Sequence, residues 1–85
     1  LISFFTVGPN ELRQWLIRRG ISSVEAAGTI HTDLKRGFIR AEVIKYSDLV
    51  ELGGEDQVKH AGKLYVKGKD YIVEDGDIIN VRFNV

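Results

Sequence analysis

The residues with the most obvious capacity for chemistry are a histidine and an aspartate two positions apart, His31 and Asp33. Such a pair could act as a general base with a carboxylate that orients the imidazole. A lone histidine with no nucleophile beside it is more often structural, and here the imidazole would cap or pack against a helix end. The second histidine, His60, lies in an unrelated segment, and no cysteine completes a metal-binding set. We therefore predict no catalytic residue, no metal site and structural roles for both histidines.

Two Gly-Lys pairs, in Gly62-Lys63-Leu64 and Gly68-Lys69-Asp70, invite comparison with a phosphate-binding loop. Such a loop needs a glycine five residues before the Gly-Lys pair and a Ser or Thr after it, which together surround the phosphates and their metal ion. Neither segment has the earlier glycine, and neither has the hydroxyl. The sequence therefore predicts no nucleotide-binding residue and no cofactor in this chain, which indicates that it is not an enzyme by itself.

Charge is unevenly distributed along a chain whose net charge is zero. Residues 1–45 carry seven basic and four acidic residues, a net charge of +3, whereas residues 46–85 carry five basic and eight acidic ones, a net charge of −3. Surface lysines and arginines usually form a solvated face, but a cluster of them can bind nucleic acid, because each neutralised phosphate releases counterions. The candidate contact residues for RNA or the ribosome are Arg18, Arg19, Lys35, Arg36, Arg40 and Arg82. Trp15 could stack on a base, although a single tryptophan in a small domain is more typical of a core.

Length and composition describe one ordinary globular domain. A hydrophobic fraction of 44% and a charged fraction of 28% are typical of that class. No apolar run approaches the roughly 20 residues that cross a bilayer, so we expect no contact with a membrane. The absence of cysteine is compatible with a cytoplasmic location. The chain begins at Leu1 and contains no methionine, so we interpret residues 1–85 as one domain, a fragment of a larger protein.

The first 20 residues predict a β-hairpin. A run rich in aromatic and β-branched residues at 2–7 is followed by Gly8-Pro9-Asn10 and by a second strand over 11–19. The second strand carries large apolar residues on both faces, which predicts burial on both sides: Trp15 and Ile17 on one, Leu12 and Leu16 on the other.

Two short helices should follow the hairpin. Ser22 with Glu25 three positions later is the capping-box signature of a helix start, and Gly28 would end that helix. Thr32 is the predicted N-cap of a second helical turn. Gly37 would close this turn in a left-handed conformation, which costs other residues more.

A strand should come next, because Ile39, Ala41 and Val43 alternate with Arg40 and Glu42. This period of two is typical of a strand buried on one face, here the face of the three apolar residues. The remainder predicts helices over 47–52 and 55–61, short strands over 64–66 and 69–73, a turn at 74–77 and a strand over 78–85. That last strand would bury Ile79, Val81, Phe83 and Val85 and place Arg82 on its other face.

This order of elements predicts an α+β fold. A hairpin, a helix, a strand, small helices and a returning strand form the β-grasp (ubiquitin-like) arrangement, a mixed sheet with helices packed on one face. The first and last strands would lie side by side in parallel. The second face of the sheet would be open.

Several segments together resemble a known family. Residues 30–33, 41–43 and 74–79 are similar to the TGS domain, a β-grasp module. Over essentially the whole chain, the segments 4–8, 26–28, 30–33, 36–39, 41–43, 75–79 and 83–85 resemble the C-terminal domain of the YchF/Obg-like ATPases.

The resemblance implies a cytoplasmic parent protein that hydrolyses ATP (or GTP) with Mg²⁺ through other domains and that associates with ribosomes. For the fragment itself it implies a non-catalytic regulatory role, with RNA or the ribosome as the partner of the basic side. The alternative is a protein–protein interaction module that docks on the parent's nucleotide-binding domain or on other proteins.

Overall fold

A computed structural model describes residues 1–85 as five strands and four short helices. In chain order they are β1 (Ile2–Val7), β2 (Leu12–Ile17), α1 (Ser23–Ile30), α2 (Thr32–Arg36), β3 (Phe38–Lys45), α3 (Tyr46–Leu52), α4 (Glu55–His60), β4 (Tyr65–Lys67) and β5 (Asp77–Phe83). The strand order in the sheet is β2-β1-β5-β3-β4. β1 and β5 are parallel, and the other neighbouring strands are antiparallel. The predicted α+β fold is confirmed, with the last strand central and parallel to the first.

The main core lies between one face of the sheet and α1. Its buried residues are Ile2, Phe4, Ile17, Ala26, Ala27, Phe38, Ala41, Val43, Val73 and Ile79. Leu34 of α2 packs against the same cluster. α1 and α2 cover this face of the sheet because their small and apolar side chains pack against every second residue of the strands.

A second, smaller cluster joins the sheet to α3 and α4, and it corrects the expectation that all helices lie on one face. Ile44 of β3 and Ile78 of β5 pack with the fully buried Val58 of α4. Each of the two strand residues is adjacent in sequence to a member of the main core, so it points to the opposite face. The second face is therefore open only where α3 and α4 do not reach.

The start of β3 corrects the predicted buried face of that strand. Its pairing with β5 shifts register between Phe38 and Arg40. Such an irregularity breaks the strict alternation of sides. Phe38 is consequently buried, whereas Ile39 is 54% exposed. The prediction is right for Ala41 and Val43 and wrong for Ile39.

Two other predicted faces are only partly buried. Leu12 and Leu16 lie on the second face of the edge strand β2, and both are exposed. Phe83 and Val85 are also exposed, since they lie at and beyond the end of β5.

The helix and strand limits bring two further corrections. α1 continues through Gly28 to Ile30, so this glycine does not end the helix. The strand predicted over 69–73 does not form, and Ile72 makes only an isolated bridge to Ser22. This segment instead follows the start of α1, where the Ser23 hydroxyl donates to the carbonyl of Gly68 at 2.6 Å. The carbonyl groups of this segment accept hydrogen bonds from the first turn of α1, so they do not pair with a strand of the sheet.

Candidate nucleic-acid interface

His31 is the N-cap of α2. Its Nδ1 accepts a hydrogen bond from the backbone N–H of Asp33 at 3.0 Å. The predicted N-cap, Thr32, is instead the first residue of the helix. The capping interpretation of His31 is confirmed, because its Nδ1 lone pair accepts the hydrogen bond from the backbone N–H of Asp33.

Gly37 follows α2 with φ −99°, so the predicted left-handed cap is wrong. A glycine is needed there for a different reason, which is close packing. A Cβ at this position would collide with the Asn84 carbonyl group and lie 2.6 Å from a methyl group of Val85. The Asn84 N–H also donates to the Gly37 carbonyl at 2.9 Å, and this contact joins the end of α2 to the end of β5.

Two of the candidate RNA-contact residues, Arg40 and Arg82, are direct partners across β3 and β5. Both share one carboxylate, since the Nε atoms of Arg82 and Arg40 lie 3.3 Å and 3.8 Å from the Glu42 oxygens. The Glu42 side chain is 19% exposed, and the two arginine side chains are about half exposed. The carboxylate therefore lies beneath two solvent-facing guanidinium groups, and the trio has a net charge of +1.

Lys35 and Arg36 lie at the same end of the sheet, because α2 leads through Gly37 to the strand position opposite Phe83. Each has an acidic partner. The Lys35 ammonium is 3.1 Å from a Glu25 oxygen, and the Arg36 guanidinium is 3.0 Å from an Asp33 oxygen. Such exposed pairs are weak, so either cation can be shared with a phosphate at little cost.

Arg18 and Arg19 lie at the other end of the sheet. They follow Ile17, which pairs with Ile2 at the start of β1, whereas Arg82 lies five residues beyond Asp77, the partner of Phe4. At about 3.3 Å per residue these positions are roughly 25 Å apart along the strands. The six candidates are therefore divided into a group of four and a group of two. Neither Arg18 nor Arg19 forms a salt bridge.

Trp15 is half-buried and packs against the main core rather than forming an exposed stacking platform. Its ring stacks with Phe4 at a centroid distance of 6.3 Å, and its indole N–H donates to the Thr6 hydroxyl at 3.0 Å. The Arg13 guanidinium lies 4.4 Å from the centroid of the same ring. This arrangement agrees with the structural interpretation of Trp15.

Sequence reasoning missed an ionic network at the start of β5. Asp77 is completely buried and receives hydrogen bonds from the Lys45 ammonium at 2.5 Å, the Tyr71 hydroxyl at 2.6 Å and the Glu74 backbone N–H at 2.9 Å. Lys45 also donates to the Glu74 carboxylate at 2.6 Å. The sequence could have indicated this network. Asp77 is two residues before the core residue Ile79 in β5, so its side chain points to the same buried face, where a carboxylate needs hydrogen-bond partners.

The network shifts three pKa values. Burial alone lowers the pKa of Lys45, but hydrogen bonds to Asp77, Glu74 and Tyr71 outweigh it and raise the pKa above its ordinary value. Burial, followed by the hydrogen bond to Asp77, raises the pKa of Tyr71 to about 12. The hydrogen bond from Lys45 lowers the pKa of Glu74. These shifts favour the protonated lysine and tyrosine and the ionised glutamate, so the network is a structural clamp rather than a proton-transfer site.

No helix in the structure has the length and apolar character required to span a lipid bilayer.

Comparisons with known proteins agree on one family. Residues 1–84 match the model of the C-terminal domain of YchF GTPases, described as a protein of unknown function (DUF933). Obg-like ATPase 1 from Oryza sativa subsp. japonica is 60% identical over the whole chain, and Obg-like ATPase 1 from Homo sapiens is 58% identical over 95% of it. The structure of the Schizosaccharomyces pombe YchF GTPase superimposes on 95% of the chain with a TM-score of 0.90 and 42% identity. The chain spans only 20–22% of the length of these proteins.

Proposed function

Because the chain belongs to the family of YchF C-terminal domains, we propose that it is a non-catalytic binding module of an Obg-like ATPase and that it contacts RNA, on the ribosome or free. Hydrolysis of ATP or GTP with Mg²⁺ would belong to the rest of the parent protein. The module would act in the cytoplasm, where it would give its ATP- or GTP-hydrolysing parent protein affinity for RNA.

The observation that carries the proposal is the Arg40–Arg82 pair. Like charges directly opposite each other on neighbouring strands repel, and one carboxylate neutralises only half of this pair. A phosphate bound from the solvent side would meet two guanidinium groups that Glu42 already orients. Arginine suits this task because its planar donors match phosphate oxygens.

Lys35 and Arg36 extend the same positive end of the sheet. Their carboxylate partners are exposed, so exchange for phosphate oxygens loses little. With three or four phosphates contacted, affinity should fall with salt with a log–log slope of about −2 to −4. This slope is shallow, as expected for a neutral chain that presents one basic end.

The test compares paired charge reversals in RNA binding by the 85-residue chain. Arg40→Glu with Arg82→Glu should weaken binding to a single-stranded RNA of mixed sequence by about tenfold or more and reduce the salt slope by about 2. Lys67→Glu with Lys69→Glu is the matched control, because it changes charge equally in the acidic half of the chain. Equal weakening by both double variants would indicate diffuse attraction and contradict the proposed site.

A protein-docking function is the second candidate, and a separate apolar groove favours it. The groove runs between the β1–β2 turn and α3, and its apolar lining is formed by Val7, Leu12, Tyr46, Leu49 and Val50. Its occupant would be the nucleotide-binding domain of the parent, since about four-fifths of the relatives' length lies outside the matched region. Protection of α3 from hydrogen exchange in the full-length parent, relative to the isolated chain, would support this contact, whereas identical exchange would oppose it.

A further inference from the structure

The outer edge of β2 is the longer of the two free edges of the sheet. Six consecutive residues of β2 pair with β1 without a bulge, whereas β4 at the opposite edge has only three residues. Proteins usually protect a long edge with a bulge, a proline, a short strand or charged side chains. β2 has no bulge and no proline, and Arg13 is its only charged residue, so its outer backbone groups are available to another strand.

The hairpin fixes which backbone groups those are. The Gly8 N–H donates to the Glu11 carbonyl at 2.8 Å, which identifies this pair as a hydrogen-bonded position of the ladder. Hydrogen-bonded and non-bonded pairs alternate in an antiparallel ladder. The N–H and C=O groups of Leu12, Gln14 and Leu16 therefore point away from β1.

The same three residues present their side chains on the second face of the sheet. Leu12 and Leu16 are 52% and 62% exposed, and Gln14 between them donates to the Ser3 hydroxyl. An added strand would place every second side chain beside the two leucines. The residues at these positions should therefore be apolar.

The arginines near β2 indicate which residues should alternate with the apolar ones in the added strand. The chain has six arginines, and three of them, Arg36, Arg40 and Arg82, form salt bridges. The three that form none all belong to β2 or directly follow it: Arg13, Arg18 and Arg19. Unpaired positive charge along one edge fits a partner that carries carboxylates.

We propose that β2 accepts an extended peptide, with alternating apolar and acidic residues, as a sixth strand of the sheet. Main-chain hydrogen bonds would supply affinity, and the leucines and arginines would supply specificity. A second copy of the chain is a poor occupant, because pairing β2 with β2 would bring six arginines together. Arg18 and Arg19 lie at the other end of the sheet from Arg40 and Arg82, and β1 separates the β2 edge from β5, so substitutions can test the two surfaces separately.

The probe is a fluorescein-labelled heptapeptide of alternating aspartate and valine, whose binding to the 85-residue chain is measured by fluorescence polarisation. We expect saturable binding and slower hydrogen exchange at the amides of Leu12, Gln14 and Leu16. A peptide of the same sequence, N-methylated at the amides that would face β2, should bind at least about tenfold more weakly, because each lost hydrogen bond weakens binding severalfold.

Two variants separate the components of the site. Gln14→Pro removes an outward N–H without removing a hydrogen bond to β1, so the chain should stay folded. In this variant the peptide should no longer slow hydrogen exchange at the amides of Leu12 and Leu16. Arg18→Glu with Arg19→Glu should weaken peptide binding at least about tenfold, and Lys67→Glu with Lys69→Glu, the control, less than about twofold.

Three outcomes would overturn the proposal. The first is absence of binding by the folded chain. The second is equal affinity for the methylated and unmethylated peptides, which would show attraction without strand addition. The third is concentration-dependent dimerisation, measured by sedimentation, with protection of β2, which would identify a second copy as the occupant.

Discussion

Replacement of Asp77 by alanine should be among the most destabilising single changes in this domain. The carboxylate is completely buried, and it receives hydrogen bonds from Lys45, Tyr71 and the backbone of Glu74. Its removal leaves the Tyr71 hydroxyl and the Glu74 N–H without this acceptor and removes the buried partner of the Lys45 ammonium. Breaking a buried ion pair from one side costs about 3–5 kcal/mol of unfolding free energy.

That cost is comparable with the whole stability of a chain of this size. At roughly 0.05–0.15 kcal/mol per residue, 85 residues give about 4–13 kcal/mol. Asp77→Ala should therefore lower the melting temperature by more than about 12 °C or prevent folding, since 1 kcal/mol corresponds to about 4–8 °C here. Urea denaturation followed by far-ultraviolet circular dichroism measures the loss.

Tyr71→Phe is the graded companion to this change. It removes one hydroxyl that donates to Asp77 and keeps the ring, so it should cost only about 1 kcal/mol. A loss below about 1 kcal/mol for Asp77→Ala, or equal losses for the two variants, would refute the reasoning that the carboxylate holds the network together.

The network also gives the domain a defined sensitivity to alkaline pH. The folded pKa of Tyr71, about 12, and the folded pKa of Lys45 are both raised above their ordinary values. A raised pKa contributes stability that is fully present below the unfolded value, about 10, and is lost as pH rises toward the folded value. Unfolding free energy should therefore decline above about pH 10, and Tyr71→Phe should remove part of that decline.

Further predictions test the packing and the proposed absence of a nucleotide site. Gly37→Ala should cost about 1–3 kcal/mol because its Cβ would meet the backbone of Asn84, whereas Gly68→Ala, where a Cβ has open space, should cost less in the same denaturation assay. Phe38→Ala should cost about 3–5 kcal/mol and Ile39→Ser less than about 1 kcal/mol; the reverse order would contradict the irregular register at the start of β3. Calorimetric titration of the 85-residue chain with ATP or GTP should give no heat of binding, and a saturable micromolar signal would contradict the motif argument.

The sequence predicts the elements of this fold better than it predicts their exposed faces. Alternation of apolar residues finds β3 and β5 because the main core needs a continuous apolar face, and the run of aromatic and β-branched residues before a turn finds β1. Alternation does not find the register shift that buries Phe38 and exposes Ile39, because that shift depends on how β3 pairs with β5. The second cluster around Val58 was also missed, since nothing in the local pattern shows where α3 and α4 fold back onto the sheet.

For the candidate site, the sequence predicts where basic residues are concentrated but not which of them have acidic partners. Counting residues by position gives a basic first half, but it does not distinguish a cation that has an acidic partner from one that has none. That distinction depends on tertiary contacts, such as Lys35 with Glu25, which are ten residues apart. It also depends on strand pairing, which places Arg40 opposite Arg82 and Lys45 opposite Asp77.

Strand pairing explains why the two proposed surfaces have different chemistry. In the central strands, arginines are held beside Glu42, so they are oriented and partly neutralised, which suits exchange with the phosphates of RNA. At the β2 edge, Arg18 and Arg19 have no carboxylate partner, and the adjacent backbone groups are free, which suits a peptide that brings both carboxylates and a strand. The Arg18–Arg19 end of β2 lies roughly 25 Å from Arg82 along the strands, so RNA and a peptide that pairs with β2 only from Gln14 to Ile17 should bind the same chain together. Competition between them would show that one of the two surfaces has been assigned to the wrong partner.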